Sequence, residues 1–152
     1  MSNLTPPMVG QTATWLSIVS QLFTTRMASL LEPHGLTPAQ FNLLNHITRP
    51  DLQGGTRISD IAAAVEVNQP AVTKAAAKFQ NMGLIDLIED KHDKRVRIVK
   101  PRPEAQMLIG QIRQSIGPDL FTAFSAIDDD EIEGFLRNLK KLGGWLSDNR
   151  RP

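Results

Sequence analysis

Apolar residues recur every three or four positions at both ends of the chain, a spacing that is typical of helices with one apolar side. The pattern predicts helices over residues 12–31 and 104–116, with a kink or break at Gly117-Pro118. A capping box at residues 128–131 predicts the start of a last helix. Residues 1–10 contain two prolines and few apolar anchors, so we expect a mobile arm there.

The middle of the chain predicts shorter elements. A capping box at residues 37–40, with proline at the first helical position, predicts a helix over residues 38–48. Residues 57–58 are expected to form a short strand. Ser59 is then expected to cap a helix that ends at Val65.

Residues 68–83 contain the signals for the start and the end of one further helix. Asn68 can act as N-cap, Pro70 lies in the first turn, and Gly83 offers the left-handed residue that ends a helix. At 100° per residue one side of this helix is apolar and is predicted to be buried. That side consists of Val72, Ala75, Ala76 and Phe79. The opposite side consists of Pro70, Thr73, Lys74, Ala77, Lys78 and Asn81.

The second side has no acidic residue and carries two lysines, and the small side chain of Ala77 between them does not protrude. Such a surface suits close approach to a polyanion. Lys74 and Lys78 can reach phosphates or guanine edges, whereas Gln69 and Thr73 can hydrogen-bond to base edges or phosphates. A solvated amphipathic helix whose lysines have no partner is the alternative interpretation.

Two short apolar runs, residues 84–89 and 96–100, flank the polar segment DKHDKR. The pattern predicts a β-hairpin with a basic tip, in which Asp93 and Arg95 are expected to form an ion pair. Two short helices followed by such a hairpin describe a winged helix-turn-helix. A basic helix and a basic tip in one unit favour nucleic acid as the partner.

The runs NQPAVTKAAAKFQNMGLI and EDKHDKRVRIVK resemble the recognition helix and wing of the MarR family of transcriptional regulators, and LTPAQFNLLNHI resembles the second helix of that family. The resemblance implies that Thr37 and Pro38 approach a DNA phosphate. It also implies dimerisation through the terminal helices. Glu66 departs from the family, which commonly has glycine at this turn, and a left-handed conformation there would store strain of about 1 kcal/mol. The sequence leaves the geometry of this turn open.

A small aromatic or phenolic effector is a further implication of the resemblance. It would bind in a crevice between the dimerisation helices and the DNA-binding region. Each candidate for the lining is at least as well explained as a core residue. The candidates are Phe23, Met27, Phe41, His46 and Met107.

The predicted fold is therefore mainly α with a small β-hairpin wing: a winged helix-turn-helix flanked by N- and C-terminal dimerisation helices. We divide it into an N-terminal arm and dimerisation helix (residues 1–35), the DNA-binding region (residues 36–102) and C-terminal dimerisation helices (residues 103–152). A winged helix of about 70 residues cannot cover the apolar sides of the terminal helices, which predicts a second subunit. A two-fold dimer in turn predicts a palindromic site.

Charge is unevenly distributed along the chain. Residues 68–102 carry 8 basic against 4 acidic residues, a net +4. Residues 1–67 carry 3 against 4, a net −1, and residues 103–152 carry 6 against 8, a net −2. The basic excess thus coincides with the predicted helix and wing, which points to nucleic acid and away from a membrane surface.

Several classes of function are disfavoured by what the sequence lacks. The 152 residues include no cysteine, which excludes disulfides and thiolate metal sites. With no apolar run long enough to span a membrane and no signal pattern, we expect a cytoplasmic protein without a membrane partner. The three histidines are scattered, and hydrolase, zinc-protease and dinucleotide motifs are absent, so we expect no enzyme, metal site or cofactor.

We therefore expect a sequence-specific regulator of transcription that binds double-stranded DNA. It is expected to be a ligand-responsive repressor that acts as a homodimer on a palindromic operator. A winged helix that binds protein and has no DNA target is the alternative. The predicted DNA contacts are Thr37, Pro38, Asn68, Gln69, Pro70, Thr73, Lys74, Lys78, Lys91, His92, Lys94, Arg95 and Arg97.

Overall fold

The computed structural model describes residues 3–151, which are mainly helical with one small antiparallel sheet. This confirms the predicted fold class. Short 3-10 turns lie at Glu32–His34 and Pro50–Leu52. The helices are α1 (Pro6–Leu31), α2 (Pro38–Ile47), α3 (Ile58–Val65), α4 (Gln69–Asn81), α5 (Pro103–Phe124) and α6 (Ile132–Asp148), and the strands are β1 (Thr56–Arg57), β2 (Ile85–Glu89) and β3 (Arg97–Pro101).

The chain forms two compact units, Met1–Arg113 and Gln114–Pro152. The first contains α1 to α4, the sheet and the start of α5. The second contains the rest of α5 and all of α6. The three-part division at residues 35 and 102 stays a prediction.

The core of the first unit is built from side chains of α1 to α5 and of both hairpin strands. Full burial stabilises by roughly 1.5–3 kcal/mol for each large apolar side chain. This core fixes the apolar side of α4 against its neighbours. Its fully buried large side chains are Phe79, Leu31, Leu44, Ile61, Ile85, Ile109, Ile112, Val72 and Val99.

The sheet has the strand order β1-β3-β2, and all its pairings are antiparallel. The β2–β3 hairpin pairs from Ile85 with Pro101 to Glu89 with Arg97. The short strand expected at residues 57–58 is present, one residue earlier, as β1.

The start of α3 corrects the sequence-based prediction. Arg57 still pairs with Ile98 in the sheet and occupies the N-cap position, with φ −66° and ψ 142°. The helix therefore begins at Ile58, and Ser59 lies inside it instead of capping it. Because strand and helix share one junction residue, no separate cap is needed here.

The start of α1 also corrects the prediction, because residues 6–10 are helical and do not form an arm. Thr5 acts as N-cap, and its hydroxyl accepts a hydrogen bond from the Met8 N–H at 3.5 Å. The two prolines that suggested an arm occupy the first turn, where a missing N–H leaves no hydrogen bond unmade. Residues 1–2 of the predicted arm lie outside the described residues.

Two predictions for the C-terminal helices need correction. Helix α5 continues through Pro118 to Phe124, so the helix does not break at Gly117-Pro118, because the proline removes only one backbone donor from a long helix. A kink at this point stays a prediction. Helix α6 begins at Ile132 and not at the predicted capping box, because residues 128–131 form a turn in which the Asp128 carbonyl accepts the Glu131 and Ile132 N–H groups.

Candidate nucleic-acid interface

Helix α4 begins and ends at the predicted residues. The Asn68 side chain accepts a hydrogen bond from the Ala71 N–H at 2.9 Å, and Pro70 follows in the first turn. Gly83, just after the C-cap, has φ +73°, the left-handed conformation that ends a helix. The apolar side is buried as predicted, because Val72, Ala75, Ala76 and Phe79 are each at most 8% exposed.

The opposite side of α4 is an exposed surface without acidic residues. Gln69, Thr73, Lys74, Ala77 and Asn81 are all exposed. We call this set the α4 surface. The other side of α4 is packed in the core. This packing fixes the position of the exposed polar side chains relative to the rest of the protein.

Lys78 differs from Lys74, although the sequence pattern treated both lysines alike. Its side chain is half-buried, and its Nζ donates to the Gly35 carbonyl at 2.5 Å and to Gln40 Oε1 at 2.9 Å. Both acceptors lie at the start of α2, 43 and 38 residues away in sequence. Local periodicity contains no signal for a contact over this distance, so sequence reasoning missed it.

The start of α2 has the predicted capping box. Thr37 Oγ1 accepts the Gln40 N–H at 3.2 Å, and Gln40 Oε1 accepts the Thr37 N–H at 3.1 Å. The N–H of Thr37 is therefore used internally, and Pro38 has none. Ala39, at the second helical position, supplies the next N–H of the first turn, and the sequence analysis did not include it among the candidates.

Asp90 organises the wing from the end of β2. Its Oδ1 accepts the N–H groups of His92 at 2.8 Å and Asp93 at 3.3 Å, and its Oδ2 lies 3.5 Å from the Arg57 guanidinium. The His92 hydrogen bond, assisted by Asp93 and the charge of Arg57, lowers the pKa of the Asp90 carboxyl. The wing is thus tied to β1 by an ionised carboxylate.

The tip of the wing corrects one predicted contact. Asp93 Oδ1 accepts the backbone N–H of Arg95 at 3.0 Å, so Asp93 shapes the turn through the backbone instead of pairing with the guanidinium. This bond leaves the cation of Arg95 directed to the surface. The exposed basic side chains of the tip are Lys91, His92, Lys94 and Arg95, and the acidic Asp93 among them is exposed too.

Arg97, the last predicted wing contact, lies on β3 and is half-exposed. It faces Glu89 across the hairpin, with the guanidinium 3.6 Å from the carboxylate. An exposed pair of this kind contributes little to stability. It does reduce the net positive charge that Arg97 offers to a phosphate.

The turn between α3 and α4 contains a left-handed residue, which the sequence had left open. Glu66 has φ +58° and ψ +39°, and it is the one non-glycine with positive φ among residues 3–151. Its N–H and that of Val67 both donate to the Ala62 carbonyl. This turn fixes the angle at which α4 leaves α3 at a strain cost of about 1 kcal/mol.

The sequence model of the MarR family matches residues 34–96. Over these residues the chain is similar to the MarR family. The matched segment runs from the end of the first 3-10 turn through α2, α3 and α4 to the last residue before β3. It therefore contains the α4 surface and the tip of the wing. MarR family proteins are transcription regulators and not enzymes.

A segment of 69 residues is 28% identical to the transcriptional activatory protein BadR of Rhodopseudomonas palustris. The matched segment covers 45% of this chain and 39% of BadR. The structure of a MarR family protein from Bacillus stearothermophilus has a TM-score of 0.75 at 20% identity, over 95% of this chain and 99% of that one. A cysteine-to-serine mutant of Escherichia coli MarR, solved in complex with operator DNA, has a TM-score of 0.72 at 22% identity. The match covers 93% of this chain and 99% of that chain. These structures share the fold of this chain.

The residues expected to line a MarR-type effector crevice lie in different environments. Met27 is buried in the core, Phe41 and His46 are half-buried, and Phe23 and Met107 are exposed. Burial, and then the charge of the nearby Arg49, lowers the pKa of His46. None of the five lines the open depression of about 440 Å³ beside the start of α2. That depression is lined by Ala28, Ser29, Glu32, Gly35, Leu36, Thr37 and Pro38.

Residues 3–151 contain neither a candidate metal cluster nor a candidate membrane span. Across residues 3–151, no group of three or more His, Cys, Asp or Glu side chains is placed to hold a metal ion. No helix in the same range has the length and hydrophobicity required to cross a bilayer.

Proposed function

We propose that this chain is a MarR-type regulator of transcription that binds double-stranded DNA, with α4 in the major groove and the wing on the adjacent backbone. The observation that carries the proposal is the α4 surface: exposed, free of acidic residues and fixed from behind by the core. The wing adds exposed cations from the same compact unit. The related E. coli MarR, whose structure contains operator DNA, supports this assignment.

The side chains of the α4 surface differ in what they can read. Lys74 can donate to guanine O6 and N7 or to a phosphate, while Gln69 and Thr73 can donate to or accept from base edges. Ala77 is small enough to let the helix approach the base pairs closely. We propose Lys91, Lys94 and Arg95 as phosphate contacts, which position the protein without reading sequence.

We also propose that the protein acts as a homodimer. Trp15 and Leu22 on α1 are each 64% exposed, and Trp145 on α6 is 61% exposed. Aromatic and aliphatic side chains of this size rarely form an exposed stripe on a monomer. A second copy of the chain would cover them, and its two-fold symmetry would present two α4 surfaces about 34–36 Å apart to a palindromic operator.

For the regulation, we propose repression that is relieved by a small aromatic or phenolic acid. Release requires the effector to bind better to a dimer whose α4 spacing does not fit successive major grooves. BadR of R. palustris is named an activatory protein. A promoter-reporter assay therefore has to decide whether this protein represses or activates transcription. Since chromosomal DNA is the proposed partner, we also propose a cytoplasmic location.

The test is a gel-shift titration of the purified protein on the intergenic DNA that flanks its own gene, with and without a panel of aromatic acids. We expect one specific complex whose affinity falls by about 10³-fold or more between 50 and 200 mM salt, given about 6–8 phosphate contacts per dimer. A shallow salt dependence, or equal affinity for a scrambled duplex, would contradict the proposal.

A further inference from the structure

The ammonium group of the half-buried Lys78 is held by two oxygen acceptors of the protein. Its Nζ donates to the Gly35 carbonyl at 2.5 Å and to Gln40 Oε1 at 2.9 Å. Lys74, one turn earlier on the same helix, is exposed. We infer that Lys78 is a positioning residue that anchors α4 to the start of α2, and that it does not serve as a phosphate contact. This inference rests on the proposed DNA-binding function.

Both acceptors of Lys78 are themselves fixed. Gly35 follows the Glu32–His34 turn with φ +71°, and its N–H donates to the Glu32 carbonyl at 2.9 Å. Gln40 is held by the capping box, so its Oε1 receives the Thr37 N–H and the Lys78 ammonium together. To contact a phosphate, the cation would have to give up two charge-assisted hydrogen bonds to preorganised oxygen acceptors.

The anchor holds α4 at a point where the core also holds it. Phe79, the next residue, is fully buried and fixes the depth of the helix. The hydrogen bonds of Lys78 are directional, and they fix the rotation of the helix relative to α2. Together the two contacts determine where Thr73 and Lys74 point.

The anchor also connects two proposed DNA-contacting elements. The first turn of α2, which the sequence resemblance predicts to approach a DNA phosphate and where Ala39 supplies an N–H, is one, and the α4 surface is the other. Gln40 belongs to the capping box of the first element and accepts the lysine of the second. Removal of the anchor should therefore weaken DNA binding through geometry, and the charge facing the DNA should stay the same.

Salt dependence separates an anchor from a phosphate contact. Each lost phosphate contact lowers the slope of log K against log salt by about 0.9, hence about 1.8 for both subunits of a dimer. For Lys78→Met we expect a severalfold loss of affinity at low salt with the wild-type slope. For the matched control Lys74→Met we expect a reduced slope.

Gln40→Ala removes an acceptor of the anchor without changing the charge. We expect it to weaken binding in the same direction as Lys78→Met, and the double variant to be less weakened than the two effects added together. Lys78→Arg, which keeps donors for both oxygens, should restore most of the affinity. A slope that falls in Lys78→Met as it does in Lys74→Met, together with wild-type binding by Gln40→Ala, would overturn the inference.

A second measurement needs no DNA. Acetylation of the free wild-type protein, followed by mass spectrometry, should modify Lys78 severalfold more slowly than Lys74, and Gln40→Ala should reduce that difference. Equal rates in the wild type would overturn the anchor even if DNA binding is found. A wild-type protein that binds no DNA but protects Lys78 would refute the proposed function and leave the anchor standing.

Discussion

Lys74 and Arg95 are exposed cations on different elements, and their positions predict different effects of substitution on DNA binding. Lys74 lies on α4 beside side chains that can reach base edges, whereas Arg95 lies at the tip of the wing. We expect Arg95→Ala to weaken binding to all sequences and to lower the salt slope by about 1 per lost contact. Lys74→Ala should also weaken binding and lower the salt slope, and in addition it should change the preference between operator and scrambled duplexes.

The measurement is a titration of both duplexes at several salt concentrations. Lys141→Ala, which removes an exposed cation of α6 on the side opposite its apolar residues, is the charge-matched control and should bind as the wild type does. If neither Lys74→Ala nor Arg95→Ala changes the affinity, α4 and the wing do not face the DNA.

Gly55 illustrates a residue whose backbone and surroundings both require glycine. It has φ +106°, and a Cβ atom at this position would lie 2.7 Å from Ile98 Cγ2. We expect Gly55→Ala to lower the free energy of unfolding by about 1–3 kcal/mol, because it combines backbone strain with a clash. Urea denaturation measures this, and Gly54→Ala, where an added Cβ meets nothing within 4 Å, is the neighbouring control. Equal stability of the two variants would show that the turn before β1 adapts without cost.

At the scale of elements, α2 is held at both ends by side chains from other parts of the chain. Lys78 binds its start, while the Gln106 side chain of α5 donates to the Thr48 carbonyl at its end. Arg113, also on α5, donates to Asn45 Oδ1 at 2.6 Å. Helix α2 thereby links α5 to the proposed DNA-reading helix α4.

We expect Gln106→Ala to loosen the end of α2, because the Thr48 carbonyl loses one of its two side-chain donors and keeps that of Gln53. The cost should be about 1 kcal/mol. Hydrogen exchange measured by mass spectrometry should show faster exchange over residues 44–49. Gln111→Ala, an exposed glutamine on the same helix, should leave exchange in this segment unchanged. Acceleration in both variants would mean that the effect belongs to α5 in general.

The elements also show what a sequence can predict. Asn68, Pro70 and Gly83 give the bounds of α4 because the chemistry of helix ends is local. Acidic residues at a possible cap gave the wrong start for α6, because residues 128–131 close a turn of their own first. Whether such residues close a separate turn or start the helix depends on packing, which cannot be read from the pattern of residue types.

The same limit applies to the candidate site. The exposed and buried sides of α4 follow from its period, so the exposure of Thr73 and Lys74 was predictable. The engagement of Lys78 was not, since Gly35 and Gln40 approach it only after α2 and α4 have packed together. Long-range hydrogen bonds of this kind are visible only in the folded chain.

For the whole molecule, charge and hydrophobicity are separated along the sequence. Residues 68–102 carry the net +4, whereas residues 103–152 carry a net −2 and include the apolar side of α6. The basic segment can attract DNA over a distance of about one Debye length, roughly 8–10 Å. The apolar residues provide a different type of contact, which is not weakened by salt. The proposed dimer should therefore persist at salt concentrations that release the DNA.

A substitution of Leu142 on α6 tests whether the apolar side of this helix joins two subunits. Leu142 is 40% exposed on the apolar side of the helix, and a glutamate in its place would put a charge into the proposed subunit contact. We expect Leu142→Glu to shift the protein from dimer to monomer in sedimentation experiments and to reduce binding of a two-half-site operator to the level of a single half-site. Arg137→Glu places the same charge on the opposite side of α6 and should remain dimeric. If Leu142→Glu sediments as a dimer and binds the full operator normally, the apolar side of α6 does not join two subunits, and the palindrome loses its structural basis.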